Sequence, residues 1–239
     1  MDLRNTLLFL ALVQVGFASS ADKLLYEAVW KRDLQKAKEA VARGANVNYK
    51  TPYDEDFPLG IAAYLGDLRM VLFLLNMGAH VNLAKKGGWN ALMAAADEGH
   101  LKIVQLLITK GAAVDSKTAM GRSVLMRAAY QGQTEIVRYL LRQGANPNAQ
   151  DNEGTTALML AAQNGHEDVV HLLLARGARV ELVNQKGKRA IDYAREYVHK
   201  HYILMGKEYR GRLLELLGME KRKTEIPKGK GQEKKRLYF

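Results

Sequence analysis

An all-α solenoid of stacked helix-turn-helix units is the fold this sequence predicts, and three observations predict it. Gly44, Gly78, Gly111, Gly144 and Gly177 recur at intervals of 34, 33, 33 and 33 residues. Each is followed by Ala and preceded by an apolar stretch, as in LFLLNMGAHVN, VQLLITKGAAVD, VRYLLRQGANPN and VHLLLARGARVE. A second landmark, Leu59, Leu92, Leu125, Leu158 and Ile191, keeps the same 33-residue spacing. Third, Ala-Ala pairs stand at 62–63, 95–96, 128–129 and 161–162. A period near 33 means copies of one small unit that buries its apolar face only by stacking on its neighbours.

Each unit reads in the same order. The leucine landmark opens a short helix, and the paired alanines let adjacent helices approach closely. Gly66, Gly99, Gly132 or Gly165 then ends that helix with φ > 0. A second helix follows with apolar spacing, as at Ile103, Val104, Leu106 and Leu107. The Gly-Ala pair closes it, and an Asn/Asp-rich turn leads to the next unit.

These residues resemble the ankyrin-repeat family over 22–217. The family's helix-opening tetrad T-P-L-H stands here as Thr156-Ala157-Leu158-Met159, Asn90-Ala91-Leu92-Met93 and Ser123-Val124-Leu125-Met126. The family's Gly-His turn stands at Gly99-His100 and Gly165-His166. Met replaces the tetrad histidine in all three, so the hydrogen bond that histidine makes in the family is expected to be lost. The resemblance implies about six units, two of them atypical caps: 22–48, 49–82, 83–115, 116–148, 149–181 and 182–217.

The ends depart from the rhythm, as caps do. The first unit lacks a leading turn, and Asp22 is the expected N-cap. The second contains Pro52 and Pro58, and its acidic turn Asp54-Glu55-Asp56 replaces the usual glycine. In the last, Val198 stands where the turn glycine belongs. Its first helix is expected to run to about Met205, with a turn near Gly206 and a final helix from Tyr209 to Leu217.

The repeat domain is expected over 21–218, flanked by two segments of another kind. Leu7 to Phe17 is an apolar run followed by Ala18-Ser19-Ser20, the pattern of an export signal spanning residues 1–20. Cleavage after Ala18 or after Ser20 fits the small-residue rule, and the run is short for a bilayer span. At the other end, residues 219–239 read as a basic, disordered tail. Residues 221–239 carry eight Lys/Arg and two Glu, which is +6 of the chain's net +11. Three readings of the tail stand side by side: a solvated end, contact with an anionic membrane surface, or contact with nucleic acid or an acidic partner. The 239-residue chain has no cysteine, which excludes disulfides and thiolate chemistry.

In ankyrin-repeat proteins the hairpin turns and first helices form the concave binding surface. The positions after each small pair vary widely, which points to exposure: Trp30, Tyr64, Asp97, Tyr130, Gln163 and Glu196, then Lys31, Leu65, Glu98, Gln131, Asn164 and Tyr197. The hairpin tips supply Tyr53, Lys86, Trp89, Met120, Arg122, Asn152 and Glu153. The expected partner-binding set is Trp30, Tyr53, Tyr64, Lys86, Trp89, Asp97, Met120, Arg122, Tyr130, Asn152, Glu153 and Gln163. Its aromatic part, on Trp30, Tyr64, Trp89 and Tyr130, is the material of binding hot spots. The alternative is that these rings pack on neighbouring helices and lend only stability.

The sequence holds no Gly-rich phosphate loop, nucleophile elbow or zinc-protease helix motif. Glu196, His199 and His201 come nearest to a metal cluster, but His199 and His201 diverge on a helix. The expectation is therefore a non-enzymatic, monomeric scaffold without cofactor or metal that binds another protein, with nucleic acid disfavoured. The signal segment places it in the periplasm or outside the cell, and that segment and the Ala-Leu-Met tetrads together have a bacterial look. Two alternatives are a membrane-peripheral adaptor tethered by an uncleaved N-terminus or the basic tail, and a secreted effector that binds a host protein.

Overall fold

The computed structural model describes residues 18–205 and 212–219. Among the described residues twelve α-helices form six consecutive pairs: α1 (Ser20–Trp30) with α2 (Leu34–Ala42), α3 (Pro58–Leu65) with α4 (Leu68–Asn76), and α5 (Ala91–Asp97) with α6 (Leu101–Thr109). Then come α7 (Val124–Tyr130) with α8 (Thr134–Arg142), α9 (Ala157–Gln163) with α10 (Glu167–Ala175), and α11 (Ala190–Met205) with α12 (Arg212–Leu214). Among the described residues no strand forms. The hairpins between units close on single antiparallel bridges, Ala84 with Asn90, Lys117 with Ser123 and Gln150 with Thr156.

The first helix of each pair packs closely on the first helices beside it, and the second helices stand further apart. The stack therefore curves with the first helices on its inner side. The cause is side-chain size. The Ala-Ala pairs at 62–63, 95–96, 128–129 and 161–162 are fully buried, and such small residues let backbones approach. Leu59, Leu92, Leu125 and Leu158 fill one continuous core with Met93, Met126 and Met159.

The caps divide between local and long-range duties. Asn90, Ser123 and Thr156 each accept from the backbone N–H three residues on, at 2.9, 3.2 and 3.2 Å, and so start α5, α7 and α9. Met126 Sδ accepts in turn from the Ser123 N–H at 3.4 Å, so in that unit the thioether and the hydroxyl cap the helix reciprocally. Asp33 and Asp67 cap α2 and α4 locally. At the same register His100, Gln133 and His166 make no local cap. Their side chains donate instead to carbonyls of the preceding unit: His100 to Tyr64, Gln133 to Asp97 and His166 to Tyr130, at 3.1, 3.2 and 2.9 Å. These side chains lie directly over the turn glycines. A Cβ on Gly132 would stand 2.6 Å from His166 Nδ1, and Gly132 has φ +72°, so both space and backbone require glycine there.

An asparagine ladder joins the opposite ends of the helices. Asn48 donates to the Gly78 carbonyl and accepts from the His80 N–H. Asn82 bridges Gly111 and Ala113 in the same way, and Asn148 bridges Gly177 and Arg179. Asp115 occupies this register in the third unit. Lacking a donor, it only accepts from the Asn146 N–H, at 3.3 Å.

Three expectations change. Ser19, not Asp22, caps α1: its hydroxyl oxygen accepts from the Asp22 N–H at 3.0 Å. Asp22 lies inside the first turn, where it accepts from the Ser19 hydroxyl and from the Asn46 N–H, tying α1 to the end of α2. Leu65, placed by its variable register on the exposed face, is 8% exposed and belongs to the core. The final helix leaves α geometry earlier than expected: after Leu214 it passes into a π-turn over Glu215–Met219, where Gly218 has φ 89°. Leu213 and Leu217 there close the core. α11 does run to Met205, as Val198 in place of a turn glycine predicts. The turn near Gly206, the start of the final helix at Tyr209, the His201 side chain, most of the signal segment and the tail beyond Met219 lie outside the described residues.

Candidate protein-binding face

The inner face is built from the exposed sides of the first helices and the hairpins that precede them. Towards its N-terminal end lies an apolar cleft of about 160 Å³. Trp30 at the end of α1, Phe57, Gly60, Ile61 and Tyr64 along α3, Trp89 from the next hairpin and Ala94 of α5 form its walls, with Asp56 and Lys85 beside them. The Trp30 ring meets Tyr26 and Tyr64 edge-on, each at a centroid distance of 6.4 Å. Burial pushes the Tyr26 phenol above its ordinary value. Tyr64 keeps 38% of its surface exposed, while Trp30 and Trp89 are half-buried against the core.

Next along the face is a cluster centred on Arg127. Its guanidinium lies 4.9 Å from the Trp89 ring centroid and 5.6 Å from that of Tyr130. It also pairs with the Asp97 carboxylate, and the two side chains are only 19% and 13% exposed. Asp97 is thus committed to holding α5 against α7 and offers less to a partner than a free carboxylate would. Tyr130, 39% exposed, presents its outer surface. Gln163, Asn164, Tyr193, Glu196, Tyr197 and Lys200 line a more polar depression of about 340 Å³ further along.

The hairpin tips form a separate rim. The Ala119 N–H donates to the Gly87 carbonyl, Asn152 to Met120 and Gln185 to Glu153, at 2.7, 2.9 and 2.8 Å, so successive tips are linked by backbone. Tyr53 and Met120 stand out at 79% and 68% exposure, and Lys86, Asn152 and Glu153 are exposed beside them. The Asn152 side chain also donates to the Ala119 carbonyl. Arg122 leans on the buried carboxylate of Asp151 at 3.6 Å.

The structure therefore gathers Trp30, Tyr64 and Trp89 in one cleft, Trp89, Asp97 and Tyr130 around one arginine, and Tyr53, Lys86, Met120, Arg122, Asn152 and Glu153 along the rim. Gln163 lies apart, in the polar depression. Phe57, Gly60, Ile61, Lys85 and Arg127 were absent from the expected set. The signal for Phe57 and Gly60 was present in the repeat: they stand 33 residues before Asn90 and Met93, in the cap and buried-methionine registers. Among the described residues no three His, Cys, Asp or Glu side chains converge as metal ligands would. Nor is any described helix long and apolar enough to cross a membrane.

The family model for ankyrin repeats, in three copies, matches residues 25–118 and 111–184. No curated protein matches the sequence.

Proposed function

The chain belongs to the ankyrin-repeat family, whose repeats generally mediate protein–protein interaction, and on that premise we propose that it is a non-enzymatic scaffold that binds another protein on its concave face after export. The observation that carries the reading is the continuity of exposed groups along the inner side, from the Trp30–Tyr64–Trp89 cleft through Tyr130 to Gln163. Rings and amides fixed on rigid helices suit a polypeptide ligand, because little side-chain entropy is lost when they are covered.

Export rests on the sequence of residues 1–20. The Ser19 cap supports cleavage after Ala18 over cleavage after Ser20, since only the former leaves Ser19 to start α1. N-terminal sequencing of the protein from its producing cells should begin at Ser19; an intact Met1 would remove the export reading. For the binding face, Tyr130→Ser with Gln163→Lys should deplete captured proteins at least tenfold against the parent, without lowering the melting temperature by more than a few degrees. Unchanged capture by that double variant would refute the concave-face assignment.

A second reading has its own observation: the +6 charge of residues 221–239 suits an anionic membrane surface. There the scaffold would work as a peripheral adaptor.

A further inference from the structure

The second unit departs from its neighbours at three places around one cleft. Phe57 stands at the N-cap register, where Asn90, Ser123 and Thr156 cap their helices, and α3 has no side-chain cap hydrogen bond. Gly60 stands at the register of the buried Met93, Met126 and Met159. A Cβ at Gly60 would lie 2.8 Å from the Phe57 ring, so the two replacements belong together: the ring lies back over the bare glycine. In the preceding hairpin, Glu55 adopts φ 52° in the register of Gly88, Gly121 and Gly154. Each departure costs stability. Together they put the buried Phe57 ring, in place of a polar cap and a methionine, into the wall of the cleft.

We propose that this cleft is an anchor site for one uncharged, leucine- or phenylalanine-sized side chain of a partner polypeptide lying along the inner face. Size selects the occupant. At about 160 Å³ the cleft falls below the roughly 300 Å³ typical of cofactor and drug-sized ligand sites, and it suits a single side chain. Charge selects it too. The two charged residues of the lining, Asp56 and Lys85, pair with each other at 2.9 Å, and close by Glu55 pairs with Lys50 and Asp97 with Arg127. A charged anchor would find no unmatched counter-charge in the lining, and an apolar one needs none. The inference rests on the concave-face reading and deepens it.

Both tryptophans of the chain, Trp30 and Trp89, wall the cleft, so tryptophan emission reports its occupancy. The probes are blocked heptapeptides of Ser and Gly with a central Leu, Phe or Ala. Leu and Phe peptides should give a saturable emission change and bind about tenfold or more tighter than the Ala peptide. Their affinity should be the same within twofold across a tenfold range of salt. The double variant Phe57→Asn, Gly60→Met restores the pattern of the third to fifth units. It should melt no lower than the parent yet lose the response, an outcome that a purely structural role for Phe57 does not produce. Equal binding of Leu and Ala peptides, a steep salt dependence, or full binding by the folded double variant would overturn the proposal. A measurement on the unaltered protein guards against a variant that does not fold: the Ile61 methyl resonance should shift with the Leu peptide while those of Ile103 and Ile136 stay fixed. No shift at Ile61 overturns the proposal equally. Should the peptides fail while the Tyr130 and Gln163 variant still loses capture, the cleft falls and the concave-face reading stands.

Discussion

Arg127 offers a quantitative test of how the inner face is held together. Its side chain touches Asp97, Trp89 and Tyr130 together. Two unit charges about 4 Å apart attract by about 4 kcal/mol at an effective dielectric of ~20, before desolvation is subtracted. With the side chains 19% and 13% exposed, desolvation removes part of this and a net coupling of about 1–3 kcal/mol remains. The aromatic contacts add about 0.5–1 kcal/mol each. Arg127→Leu places the residue of the next unit, the buried Leu160, at this register, so packing is largely kept while the charge is lost. The single variant should cost about 2–3 kcal/mol, because Asp97 is left half-buried without its partner. Asp97→Asn alone should cost about 1–2 kcal/mol. The double variant should cost at least 1 kcal/mol less than the sum of the two. Urea unfolding followed by circular dichroism and tryptophan emission measures all four corners of the cycle. Additivity within about 0.5 kcal/mol would refute the coupling, and Asp97 would then return to the set of groups free for a partner.

Other consequences follow from single registers. Glu55→Gly relieves a left-handed non-glycine residue at the loss of a part-exposed pair with Lys50, and should stabilise by about 0.5–1 kcal/mol; a lower melting temperature contradicts it. Asp115→Asn supplies the donor its ladder position lacks and should gain about 0.5–1 kcal/mol in the same unfolding assay; no gain would mean that the ladder does not act through paired hydrogen bonds. Tyr26, whose folded-state phenol is raised above its ordinary 10.0 by burial, contributes stability fully present below about pH 10 and lost as pH rises past that unfolded value. Tyr26→Phe should therefore flatten the alkaline fall in stability, and an unchanged slope contradicts the burial. Anionic vesicles at low salt should retain the full chain and release it when 221–239 is deleted; no retention removes the membrane-peripheral reading.

The repeat register carried most of the fold. The leucine landmarks, the alanine pairs and the continuation of α11 past Val198 could all be placed because every unit imposes the same packing at the same offset. Register assigns a position to a face, however, and not to a neighbour. Leu65 varies in identity yet is buried, because an apolar side chain at a variable position turns into whatever core lies beside it. The pairing of Arg127 with Asp97 spans 30 residues and depends on a long side chain reaching between helices, which spacing alone does not encode. Asp22 looked like a cap, but Ser19, three residues earlier, meets the Asp22 N–H and leaves the carboxylate for Asn46. The cleft was half legible: both tryptophans were singled out, whereas the Phe57 and Gly60 exchange in its wall shows only when the second unit is aligned on the third.

A photo-crosslinker placed in turn at Gln163, on the inner face, and at Arg138, on the outer helix α8, tests the central claim most directly. Irradiated in the compartment where the protein resides, the Gln163 version should form one dominant adduct with another protein, and the Arg138 version should form little of it. Equal adducts from both positions, or the dominant one from Arg138, would contradict binding through the concave face.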